Sequence, residues 1–138
     1  MRLLSVFGLL VGFLVCPSGS ADPKSPAERP EISRSGRDFL EVCSSIGSER
    51  NTSPDRIYGD ATCLGWVEGF AVGFTVHDEL LNVPVKDRMV CVHHEVTTIQ
   101  IVRAIKKYIA DNPEKARRPT RYIASVALAR AFPCKAGK

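Results

Sequence analysis

The chain has 138 residues, of which 44% are hydrophobic and 25% charged, the balance of an ordinary globular domain. That length suits one compact domain, and the composition excludes wholesale disorder and a polytopic membrane protein. Its 19 Lys+Arg against 15 Asp+Glu give +4, a mild excess that does not demand a nucleic-acid partner. No P-loop, GxGxxG, GxSxG or HExxH motif occurs.

The first segment reads as an address. Arg2 is followed by a largely apolar run from Leu3 to Cys16 and then by Pro17-Ser18-Gly19-Ser20-Ala21. These are the three zones of a cleavable secretory signal, and the run falls short of the ~20 residues of a spanning helix. Val15 is not the small residue that precedes a lipid-modified cysteine, so Cys16 leaves with the peptide. Residues 1–21 are the predicted signal and the mature chain carries no membrane anchor. Residues 22–34, with Pro23, Pro26 and Pro30 among polar neighbours, read as a disordered leader, and 35–138 as a single domain.

Cys43, Cys63, Cys91 and Cys134 remain after cleavage. An even number in a small exported domain reads as two disulfides, for which spacing alone allows three connectivities.

Four helices are predicted. The first spans about Gly36 to Ile46, with Ser35 as N-cap, Phe39, Val42, Cys43 and Ile46 on one face, and Gly47 past its end. A polar loop from Gly47 to Gly59 contains the sequon Asn51-Thr52-Ser53. The second helix spans about Ala61 to Leu81, capped by Asp60. Gly65, Gly69 and Gly73 stack along one of its faces, and each costs about 1 kcal/mol against alanine. Close approach of another helix is the expected compensation, so the three are read as helix-packing residues. The third helix opens with the capping box Thr97-Thr98-Ile99-Gln100 and stops at Asn112-Pro113. The fourth spans about Thr120 to Phe132 and is alanine-rich, which marks it as the most buried. The fold class is therefore all-α: a small, up-down four-helix domain. Antiparallel neighbours bring the end of the first helix to the start of the second, and the start of the third to the end of the fourth. That topology selects Cys43–Cys63 and Cys91–Cys134.

Chemistry-bearing clusters are sparse. Cys91-Val92-His93-His94-Glu95 holds potential zinc ligands, but a closed site needs about four and Cys91 is claimed by a disulfide. No metal, cofactor or catalytic residue is assigned. Arg103, Lys106, Lys107, Lys115, Arg117, Arg118 and Arg121 form a basic run that is either a solvated face or a surface for an acidic protein patch or an anionic polymer. Aromatic residues do not interleave with it as a nucleic-acid platform requires.

Three segments resemble the Rap/Tai immunity family. Cys63-Leu64-Gly65-Trp66-Val67-Glu68-Gly69 is similar to its Cys-x-Gly-aromatic helix. The stretch from Val96-Thr97 through Tyr108-Ile109 to Asn112-Pro113-Glu114 is similar to its third helix. Ala127-Leu128-Ala129-Arg130-Ala131-Phe132-Pro133-Cys134 is similar to its closing signature. Two departures are His93-His94, where the family carries a proline, and the basic stretch Glu114 to Arg121. The resemblance implies a disulfide-bonded, often dimeric periplasmic protein of type VI secretion. Such a protein binds a peptidoglycan amidase effector, occludes its cleft and is not itself an enzyme. The proline-bounded Pro113–Pro119 loop is the expected protruding element. The competing expectation is a periplasmic helical stress or chaperone-like protein without a toxin partner.

Overall fold

A computed structural model describes residues 30–48 and 53–134. The predicted signal, most of the leader and the Asn51 sequon lie outside the described residues. Four α-helices follow in chain order: α1 (Gly36–Val42), α2 (Pro54–Leu80), α3 (Thr98–Asp111) and α4 (Thr120–Ala131). Two short 3₁₀ helices, Val85–Asp87 and Pro113–Arg117, sit in the connections. The described residues contain no strand, and the domain is all-α as expected.

α1 begins as its sequence dictates, with the Ser35 hydroxyl accepting the Asp38 N–H at 3.3 Å. It ends at Val42, one turn early. From Ser44 onward the backbone bonds tighten to i→i−3, with Ser44 donating to Glu41 and Ile46 to Cys43. Gly47 then takes a φ of +89°, a conformation that favours glycine.

α2 starts at Pro54 rather than Ala61, with Ser53 as N-cap. Proline has no N–H to lose at the first helical position and its fixed φ is helical, so a segment that reads as loop opens the helix. The 27-residue helix is about 40 Å long at 1.5 Å per residue. Asp60, expected as N-cap, lies inside it and accepts a hydrogen bond from the Ser45 hydroxyl.

The capping box of α3 forms as predicted. The Thr97 side chain accepts from Gln100 N–H, and the Gln100 side chain accepts from Thr97 N–H at 2.7 Å. Ile101, Val102, Ile105, Tyr108 and Ile109 of α3 are all buried. α3 packs against both α2 and α4, so it, rather than α4, is the central helix. The alanines of α4 offer little volume, and Arg121, Tyr122 and Arg130 leave one of its faces in solvent.

Both disulfides pair as the topology requires. Cys43–Cys63 closes Cα atoms to 5.2 Å between α1 and α2, and Cys91–Cys134 to 5.0 Å across the ends of α3 and α4. Beside the second, Cys91 N–H donates to the Phe132 carbonyl at 2.9 Å.

Two segments outside the four helices also differ from expectation. Ile32, expected in a disordered leader, is core, and its carbonyl accepts the fully buried Thr120 hydroxyl at 2.5 Å. The Pro113–Pro119 segment is largely exposed but is not an open loop. It folds into a 3₁₀ helix whose Ala116 is buried against α1, and Gly36 N–H donates to the Arg118 carbonyl at 3.1 Å.

The largest correction concerns α2. A Cβ built on Gly65, Gly69 or Gly73 would meet nothing within 4 Å. No described helix packs against them at side-chain contact distance. α2 buries the opposite face, through Cys63, Val67, Ala71 and Asp78, while Trp66, Phe70 and Phe74 are half-buried. Their rings form a ladder from the core: Phe39 lies edge-on to Trp66, which stacks on Phe70 at 4.9 Å, which meets Phe74 edge-on at 5.5 Å.

Candidate functional site

The seven basic residues do not form one patch. Arg103 and Lys106 reach over the turn that follows α1. The Arg103 guanidinium lies against Gly47, and Lys106 Nζ donates to the Ile46 carbonyl at 3.4 Å. Burial pushes the Lys106 ammonium below its ordinary pKa, and the Asp60 carboxylate partly opposes that shift. Lys107 bonds both carboxylate oxygens of Asp111, and Lys115 lies 4.0 Å from Glu114.

Arg117, Arg118 and Arg121 are exposed around the α3–α4 connection. Arg118 stands 6.0 Å from the Tyr122 ring centroid, whereas Arg117 and Arg121 make no ion pair among the described residues. These three, with exposed Arg103, are the cations of the run that make no ion pair among the described residues. Lys106 is a packing residue, and Lys107 is neutralised on its own helix.

The exposed side of α2 is a second surface, and sequence reasoning missed it. Val72, Val76 and Leu80 repeat every four residues on the face of Gly69 and Gly73, and Leu80 is 76% exposed. The signal was present: α2 carries two apolar stripes, and a single neighbour can cover one of them. Beside this face, α2 and the Val83–Met89 connection enclose a groove of about 730 Å³. At its base Asp78, 5% exposed, holds His77 Nδ1 at 3.0 Å and Arg88 Nε at 4.0 Å on its two oxygens. Arg88 Nε also donates to the Val83 carbonyl at 3.0 Å within the connection, and Val83 N–H donates to the Asp78 carbonyl at 2.8 Å, which ties the connection to α2.

His93 and His94 are exposed, and Cys91 is consumed by its disulfide. Among the described residues no three His, Cys, Asp or Glu side chains gather into a metal-binding group. Nor is any described helix long and apolar enough to cross a membrane.

The described residues thus form a disulfide-stapled helical domain with an exposed arginine cluster and an exposed apolar helix face. The family model described as Rap1a immunity proteins matches residues 35–134, and the chain belongs to that family. A search of curated proteins and a search of solved structures both return no match.

Proposed function

We propose that this chain is a periplasmic immunity protein that binds a peptidoglycan amidase effector of type VI secretion and occludes its cleft. The observation that carries the reading is the family match over residues 35–134, which spans nearly the whole described domain. Membership implies that the chain counters a secreted effector by binding it. The amidase target and the periplasm rest on the three sequence segments and on the signal-like stretch Leu3 to Ala21. The two disulfides agree with an oxidising compartment.

In this reading the protein has no catalytic role of its own. Exposed Arg117, Arg118 and Arg121 steer it toward an acidic rim on the effector. Self-association into a homodimer, implied by the resemblance, belongs to the same proposal.

The experiment is protection in cells. An amidase directed to the periplasm lyses its host, and co-expression of this chain with its signal restores growth. Deleting residues 1–21 abolishes protection without abolishing binding in lysate. Lysis that persists with the full chain present contradicts the reading.

A second reading, a chaperone-like binder, is favoured by exposed Val76, Leu80, Leu81 and Met89. It expects unrelated unfolded clients to compete for the same surface, whereas an immunity protein selects one effector.

A further inference from the structure

The groove beside α2 is built to receive something the described residues do not supply. Its floor is Gly69 and Gly73, whose missing side chains leave open space. Glycine weakens a helix interior, and no contact among the described residues requires it here. Its walls are Phe70, Phe74, Val83 and Met89, and Met89 is 59% exposed. The aromatic ladder behind Phe70 holds two of those walls against the core. A preformed apolar groove with a flexible thioether at its lip is what a docking partner requires.

Charge selects the occupant. From Glu68 to Glu95 the chain carries five carboxylates, Glu68, Asp78, Glu79, Asp87 and Glu95, against two cations, Lys86 and Arg88. This is the acidic region of a protein with net charge +4. In the groove itself, Asp78 is occupied by His77 and Arg88. Asp87 is exposed at the rim and makes no ion pair among the described residues. A lysine or arginine would lay its alkyl stem along Phe74 and Met89 and set its charge on Asp87. A purely apolar segment would leave that carboxylate unmatched, and an acidic one would be repelled.

We propose that this groove docks an apolar segment of the effector that bears a lysine or arginine. The inference rests on the immunity reading for the identity of the partner, while the chemistry of the occupant rests on the groove alone. It gives the protein two opposite contacts: a basic one at Arg117–Arg121 and an acidic, apolar one beside α2.

The test uses the oxidised mature chain and two peptides, acetyl-Leu-Arg-Leu-amide and acetyl-Leu-Glu-Leu-amide, in an amide NMR titration. The arginine peptide should give saturable shifts centred on Gly69, Gly73, Asp87 and Met89, and the glutamate peptide should not. Asp87→Lys should weaken binding about fivefold, the size of one exposed ion pair. Gly73→Leu fills the groove from a site with room for the side chain, so it should abolish the shifts and leave the fold intact. Equal response to both peptides, no saturable response, shifts elsewhere, or a dimer already burying Gly73 and Asp87 overturns the proposal. An effector that binds both groove variants as tightly as the wild type overturns the groove and spares the immunity reading. Peptide binding without any effector does the reverse.

Discussion

Ile123 of α4 fills the space that a side chain on Gly36 would need: its Cδ1 lies 2.5 Å from where that Cβ would stand. The Ala116 carbonyl closes the other side at 3.1 Å. Gly36 is therefore a glycine that packing requires, at the point where α1, α4 and the 113–117 turn meet. Gly36→Ala should destabilise by about 1–3 kcal/mol, as overpacking does. Gly73→Ala should stabilise by up to about 1 kcal/mol, because helix propensity improves and nothing is struck. Urea unfolding of both variants measures the contrast. A loss at Gly73 as large as at Gly36 would mean that α2 is covered in solution.

The two disulfides close loops of 20 and 43 residues. Chain entropy alone ranks the longer loop higher, at about 4 kcal/mol against about 3. Burial reverses that order, since Cys43 and Cys63 are fully buried and lie among Phe39, Val42 and Val67. The double replacement Cys43→Ala/Cys63→Ala should therefore cost at least as much as Cys91→Ala/Cys134→Ala. Non-reducing peptide mapping should recover the same two pairs, and cross-paired peptides would contradict the helix arrangement.

Lys106 gives stability a pH dependence of definite sign. Its folded pKa lies below the ordinary 10.5, chiefly through burial, with Asp60 pulling the other way. Between the folded value and 10.5 the unfolded chain holds the extra proton, so this group's contribution to stability rises with pH. Lys106→Met removes the buried charge. The variant should gain most relative to wild type near neutral pH, and its advantage should shrink as the solution turns alkaline. Paired urea midpoints from neutral to alkaline pH read this directly. An advantage that grows with pH would mean that the Asp60 attraction outweighs burial.

Local chemistry was legible in the sequence and long-range packing was not. The Thr97/Gln100 capping box spans one turn and needs no neighbour, so its residues announce it. The disulfide pairs followed once four helices were placed. The start of α2 was hidden because Ser53-Pro54-Asp55 serves a loop and a helix N-terminus equally well. The glycine stripe was visible, but periodicity says that a face is special and not what covers it. Nor does adjacency in sequence make a patch. Lys106 and Lys107 are consecutive, yet one lies over Ile46 and the other is paired on its own helix. The burial of Ile32 beneath Thr120 joins residues 88 positions apart, beyond any pattern reading.

Charge reversal at Arg117 and Arg118 separates folding from recognition. Both side chains are exposed, and what the fold uses here is the backbone of Arg118 and the side chain of Ala116. The double variant Arg117→Glu/Arg118→Glu should melt like the wild type. It should bind the effector more weakly, mainly through a slower on-rate at low salt. Stopped-flow association across a salt series checks this. Unaltered association would move the basic contact away from the α3–α4 connection.

The central claim is inhibition by binding. Its most direct measurement is calorimetric titration of the oxidised chain, residues 22–138, into a purified peptidoglycan amidase effector of type VI secretion, with peptidoglycan hydrolysis assayed on the same mixtures. The account predicts saturable binding and hydrolysis that falls in step with it to background at saturation. Hydrolysis that continues while the amidase is fully bound, or the absence of binding, would contradict it.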